Sequence, residues 1–316
     1  MNLPTIEYTI LYNTKDITKD ISEELIDIQY TDKVAGESDS LEITLNDADN
    51  RWQNTWYPEK GDSLQLIIRN EGAQLNCGIF EIDELAGSGT TDGDIFVVRA
   101  LAAGVKKRLR TKTTYAHEDK TLREIANTVG GKLGLQLMGN VPEIRIHRVN
   151  QYREDDLTFL NRIGSEYGCV FSVRNNLLVF AYYKDLEGRG PSLILTKQDL
   201  ISYDIRDTSH KTYSRSRVRH HDPYKKQVVS YFSKEDAGAP GTGADDLEIH
   251  TRVENEQQAE AKGDYALHKK NTQGVGGDIV LPGNLLFVSG NNFEQRGLGR
   301  LSGIYHIQEA THTINR

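Results

Sequence analysis

The spacing of apolar residues changes twice along this chain, and each change of period marks a change of local structure. Up to about Leu109 the period is two: Ile6, Tyr8, Ile10 and Tyr12 share one side of a strand, as do Leu41, Ile43 and Leu45, and Leu64, Leu66 and Ile68. A period of two reads as half-buried strands. Turn-rich stretches at 13–16, 36–40, 46–50, 61–62 and 87–93 separate them, a layout that favours a barrel or sandwich.

From Thr111 the period lengthens to that of a helix. Leu122, Ile125, Ala126, Val129 and Leu133 fall on one face, Thr121 and Glu124 fit a capping box, and Gly134 supplies a stop, although Gly130-Gly131 weakens the last turn. A second helix begins near Asp155-Asp156, carries Leu157, Leu160, Ile163 and Tyr167 on one stripe, and ends at Gly168. Strand-like pieces lie at 143–149, 169–173 and 177–183, the last two joined by an Asn175-Asn176 turn that predicts a hairpin. After 188–191 the strand pattern returns at 192–195, 215–221 and 227–232. A loop-like stretch at 237–246 then reads as a flexible insertion. A third helix, with Ala259, Gly263, Ala266, Leu267 and Lys270 on one face, leads into strands at 278–281, 285–288 and 303–314.

The expected fold is therefore mainly β with an α+β insertion. A first β-barrel spans 1–110, a small α+β domain 111–187, and a second β-barrel 188–316 with an inserted loop 237–246 and a helix 256–270. At 316 residues, two or three domains have ample length for real cores. The formal charge of −8 disfavours nucleic acid and anionic membrane surfaces. Cys77 and Cys169 are too few for a disulfide framework or a cysteine zinc site. The first residues show no basic region followed by an apolar core, so no signal peptide is read. The longest apolar runs fall far short of the ~18–20 residues that cross a bilayer, so no membrane span is expected.

Each cluster with chemical potential has a simpler reading. His306 and His312 share one side of a predicted strand, but six residues at ~3.3 Å each set them ~20 Å apart, too far for one metal. His220 and His221 point to opposite faces, and Asp222-Pro223 closes their strand. His117-Glu118-Asp119 reads as acids favouring a helix N-terminus. Asp245-Asp246 lacks the alternating ligands of a calcium loop. The stretch 273–278 runs from helix to strand, the reverse of a phosphate loop, so its glycines read as turn residues. Arg215, Arg217 and Arg219 form a stripe read as solvated or acid-paired. Ser165 and Cys169 stand near no base. No catalytic, cofactor-binding or metal residue is assigned, and no enzyme activity is expected.

Three segments resemble the late control gene D family of phage tail proteins, the baseplate hub family. The first runs Asp32-Lys33-Val34-Ala35-Gly36-Glu37-Ser38-Asp39-Ser40-Leu41-Glu42-Ile43-Thr44-Leu45-Asn46-Asp47, followed by Trp52, Pro58, Gly61-Asp62 and Cys77-Gly78-Ile79-Phe80-Glu81-Ile82-Asp83. The second runs from Gln151-Tyr152-Arg153-Glu154-Asp155-Asp156 to Glu166-Tyr167-Gly168. The third is the helix 256–270, then Gly283, Gly303-Ile304-Tyr305-His306-Ile307 and His312-Thr313-Ile314.

The resemblance covers nearly the whole chain. It implies two barrel modules per chain, and a homotrimeric pseudo-sixfold ring that joins a tail tube protein to a central spike protein. DNA is then a partner only in transient passage through the lumen. The place implied is the virion tail baseplate, assembled in the bacterial host cytoplasm. Family members often continue into a further strand after the His312 region, whereas this sequence stops at Arg316, so an incomplete last barrel is expected. Alternatives are the base of a type VI secretion-like spike, a tail-associated cell-wall hydrolase, and a carbohydrate-binding β module.

Overall fold

A computed structural model describes residues 6–34, 38–70, 72–91, 93–102, 111–174, 177–208, 212–222, 226–233, 246–272 and 274–315. The first part holds β1 (Glu7–Tyr12), β2 (Lys15–Asp16), α1 (Thr18–Ile21), β3 (Leu25–Lys33), β4 (Ser40–Asn46), β5 (Ser63–Asn70), β6 (Ala73–Thr90) and β7 (Gly93–Ala102). The middle holds β8 (Thr113–Thr121), α2 (Leu122–Leu133), β9 (Gln136–Met138), β10 (Arg145–Glu154), α3 (Asp156–Tyr167), β11 (Cys169–Arg174), β12 (Leu177–Tyr182) and α4 (Tyr183–Glu187). Then follow β13 (Leu193–Leu195), β14 (Ser202–Asp207), β15 (Arg215–Asp222), β16 (Gln227–Phe232), β17 (Asp246–Ile249) and α5 (Glu256–Asn271). The chain ends with β18 (Val275–Val280), β19 (Asn292–Gln295), β20 (Gly303–His306) and β21 (Glu309–Asn315). The protein is mainly β, as its alternating apolar pattern predicts.

Eight strands form the largest sheet, in the order β2-β1-β5-β6-β7-β4-β3-β21. Alternation buries Leu41, Ile43 and Leu45 of β4 and Leu64, Leu66 and Ile68 of β5 on one face, where they meet Phe80, Phe96 and Val98. A bulge in β3 between Leu25 and Asp27 resets the alternation, so Leu25, Ile28 and Tyr30 all turn inward. The sheet is not closed by hydrogen bonds among the described residues, which departs from the expected barrel: β2 and β21 stand at opposite edges. A second departure is β21. Expected in the last β module, it pairs antiparallel with β3, with Thr311 opposite Thr31 and His312 stacked on Tyr30 at 6.0 Å.

The middle part follows its local signals closely. Thr121 and Glu124 make the reciprocal capping box of α2, and Gly134 ends it in the left-handed region. Asp155 caps α3 through the Thr158 N–H, and Gly168 ends it. Gly130 has a packing reason: a Cβ there would lie 3.0 Å from Leu178 Cδ2, so the glycine lets α2 approach β12. Strands β11 and β12 pair as the expected hairpin, with the turn 175–176 outside the described residues. Residues 113–121, where no strand was expected, form β8 against β10. The two helices and the hairpin share the core of Ile125, Val129, Phe159, Ile163, Leu178 and Phe180.

After α4 the strands do not build one barrel among the described residues. They divide into three small sheets, β13-β19-β20, β14-β18 and β16-β15-β17. The reason lies in the cores: Leu195, Phe293, Ile307 and Ala310 form one small cluster, and Val218, Val253 and Ala259 another. Neither has the apolar area to organise a large sheet. The stretch 276–277, expected in a turn, lies in β18, where the Gly277 backbone passes so close to Asp204 that no side chain fits. The expected insertion 237–245 lies outside the described residues, and Asp246 opens β17.

Candidate assembly surfaces

The residues singled out for chemistry are scattered by the fold. His117 is a core residue of β8, 1% exposed and stacked on Phe159 at 5.1 Å, so it is not a helix-capping neighbour. Burial lowers its pKa to about 4, which keeps the ring neutral. The segment 303–314, expected to be one strand, breaks into β20 and β21. His306 Nδ1 lies 2.7 Å from Asn292 Oδ1, and His312 Nε2 lies 2.8 Å from the Phe287 carbonyl. Arg215 and Arg217 are acid-paired, on Asp246 at 3.0 Å and Glu248 at 3.1 Å of the neighbouring β17. Desolvation pushes both the Cys77 and Cys169 thiols up to about 12, the opposite of an activated nucleophile. Among the described residues no group of three or more His, Cys, Asp or Glu could hold a metal, and no helix is long and apolar enough to cross a membrane.

The arrangement instead invests its buried polar groups in joints between regions. Asp32 of β3 accepts from the Ser289 N–H at 2.8 Å and the Ser289 hydroxyl at 2.7 Å, tying the last region to the first sheet. Lys262 of α5, 7% exposed, donates to Glu166 of α3 at 2.8 Å and to the Arg252 carbonyl at 3.0 Å, with the Tyr167 ring 4.8 Å away. Asn292 donates from its side-chain amide to the carbonyls of Leu186, Glu187 and Arg189, locking the end of α4 to β19. These residues escaped the sequence reading because a buried Lys or Asn looks like any other polar residue. The one available signal was Lys262 lying between Ala261 and Gly263, small residues that let α5 pack closely, Ala261 into the α+β core and Gly263 onto β15 and β16.

Two exposed features remain, and both suit contacts with other proteins. A cleft of about 450 Å³ opens beside the first sheet, lined by Tyr12, Ile17, Ile43, Trp52, Trp56 and Tyr57. Its lip is held by the buried Asp47, whose carboxylate accepts from the Trp52 N–H at 2.8 Å, and by Arg51, 4.8 Å over the Trp56 ring. Trp56 and Tyr57 are left exposed there, and aromatic side chains of that kind anchor protein interfaces. The second feature is the set of sheet edges after α4, flanked by exposed Ile194, Ile201, Val280 and Ile304.

No family model matches the chain. It is 30% identical over 176 residues to the probable baseplate hub protein of Escherichia phage 186, a match covering 55% of this chain and 44% of that protein. Against the probable baseplate hub protein of Escherichia phage P2 it is 30% identical over 179 residues, or 56% of this chain and 45% of that one. The match thus spans less than half the length of these curated relatives. Among solved structures, the 43 kDa tail protein of prophage MuSo2 from Shewanella oneidensis superposes with a TM-score of 0.74 at 13% identity, covering 98% of this chain and 95% of that one. A type VI secretion system component of E. coli, described as similar to bacteriophage T4 tail proteins, gives a TM-score of 0.55 at 12% identity, covering 93% of this chain and 70% of that one. The chain therefore shares its fold with phage tail proteins and is 30% identical, over about half its length, to two proteins named as baseplate hubs.

Proposed function

We propose that this chain is a structural baseplate hub protein of a phage or prophage tail and a member of the late control gene D family. Three copies form a pseudo-sixfold ring that joins the tail tube to the central spike, with DNA passing only transiently through the lumen. The protein acts in the virion tail baseplate and is assembled in the host cytoplasm. Its layout for that role is a first β unit over 1–110, an α+β unit over 111–187 and a second β unit over 188–316. The observation that carries the reading is the likeness, over half the chain, to two proteins named as hubs. The tail-protein fold along almost the whole chain supports it.

The role is one of surface and symmetry and needs no catalytic group. Its chemistry is that of joints: a ring that carries load between a tube and a spike must hold its parts rigid, and the buried Asp32, Lys262 and Asn292 serve that need. Gold-labelled antibodies against the chain should decorate tail particles at the baseplate end. Light scattering should give about 107 kDa for three chains. Labelling elsewhere on the particle, or turnover of cell-wall material by the purified protein, would overturn the reading. The base of a type VI secretion-like spike is the second reading, favoured by the fold shared with a component of that system.

A further inference from the structure

The cleft beside the first sheet is larger than a protein contact at its mouth requires. Behind the aromatic mouth its wall is aliphatic, built by Ile21 of α1, Ile43 of β4, Leu64 of β5, Ile82 of β6 and Val98 of β7. Each of these is at most 4% exposed, so water scarcely touches them although they border about 450 Å³ of open space. An apolar cavity of about 150 Å³ stays dry and takes up a benzene ring. The cleft has about three times that room, so a single side chain of another protein would leave most of it unfilled. Unfilled apolar space forfeits packing on every lining atom, which a chain of methylenes would restore.

The chemistry of the lining selects among small ligands. The hydroxyls of a sugar or the phosphates of a nucleotide would lose their hydration against the aliphatic wall without replacement. The polar lining residues Lys15, Asp20 and Thr55 are exposed and so stand at the opening. Tyr and Trp rings beside a lysine suit the boundary between a hydrocarbon tail and water. Trp52, 6% exposed, also lines the cleft, and its indole N–H has no acceptor among the described residues. A ligand with a carboxyl oxygen behind an apolar tail carries the kind of acceptor that this N–H lacks. A local irregularity points the same way. Ile17 is the N-cap of α1, a position that favours Ser, Thr, Asp or Asn, and its side chain caps nothing. It lines the cleft instead, and a residue that breaks the local rule of its position marks a functional site.

We infer that the cleft binds a single acyl chain, with the hydrocarbon tail against the aliphatic wall and the carboxylate at the mouth beside Lys15. The site belongs to one chain and is separate from the hub reading.

The chain has two tryptophans, Trp52 and Trp56, and both line the cleft, so the fluorescence of the full protein reads its occupancy. The probes are saturated fatty acids of about eight to sixteen carbons, each kept below its micelle concentration. Binding should shift the emission to the blue at a single acid per chain, tighten about fourfold for each added methylene, and level off once the tail outgrows the cleft. Ile17→Asp sets a carboxylate in the wall at a position where it can also cap α1, and affinity should fall roughly 10-fold or more. Thr55→Glu, on the exposed loop where no packing is disturbed, sets a like charge at the mouth and should also weaken binding. Met138→Asp, exposed in the α+β unit, should bind as the wild type does. Unchanged amide exchange in the first sheet shows that each variant is folded. No emission shift with any acid overturns the inference, as does an affinity indifferent to chain length or equal in the wild type and both cleft variants. A shift with phosphatidylcholine vesicles but with no monomeric acid also overturns it, because the mouth alone would then be touching a membrane. The hub reading falls separately, if antibodies fail to label the baseplate of tail particles.

Discussion

Ser289 gives both its backbone N–H and its hydroxyl to the carboxylate of Asp32, across 257 residues of chain. Both residues are buried, at 5% and 1% exposure, so the pair acts as an internal rivet between the first sheet and the segment before β19. Hydrogen bonds to a buried carboxylate are stronger than neutral ones, and a carboxylate stripped of donors carries its desolvation cost uncompensated. Ser289→Ala is therefore expected to lower unfolding stability by about 1–3 kcal/mol, read by chemical denaturation. A double-mutant cycle with Asp32→Asn should show coupling between the two sites. Additive losses would mean that the contact does not join the regions.

The Nζ of buried Lys262 is held by Glu166, the Arg252 carbonyl and Thr251 and lies 4.8 Å over the Tyr167 ring. Truncation to alanine removes charge, hydrogen bonds and packing together, with an expected cost of about 2–4 kcal/mol. Lys262→Met keeps the stem and should cost clearly less. Equal losses in the two variants, measured by urea titration, would show that packing of the Lys262 stem contributes little.

His117 is held neutral by burial, with a folded pKa of about 4 against an ordinary value near 6.5. Between those values the unfolded chain binds the proton and the folded chain does not. Its contribution is complete above the unfolded value and is lost as pH falls toward 4, up to about 3 kcal/mol in all. His306 and His312 are lowered in the same direction by burial and add to the slope. His117→Phe, which preserves an aromatic ring against Phe159, should flatten stability between pH 6.5 and 4 in thermal melts. An unchanged slope would assign the acid sensitivity elsewhere.

Cys77 and Cys169 are both buried, and burial pushes both thiols up to about 12. A thiol-specific reagent at neutral pH should modify neither in the native protein and both after denaturation, because only the accessible thiolate reacts. Rapid modification of either in the native state would reveal local opening of the core around it.

The sequence alone determined the features whose signal is local. Helices α2 and α3 begin and end at Thr121, Gly134, Asp155 and Gly168 because capping and left-handed termination are decided within one turn of chain. The strands of the first sheet were legible because alternation is a property of neighbours. Tertiary structure alone decided which strands meet. Nothing in Glu309–Asn315 says that its partner is β3, and nothing in the pattern after α4 says that eight strands divide among three sheets. Alternation specifies a face and leaves the edge partner open, since backbone N–H and C=O groups are alike in every strand. The same holds for the burial of His117, the joint at Asp32 and the ammonium of Lys262, which depend on groups brought together from distant parts of the chain.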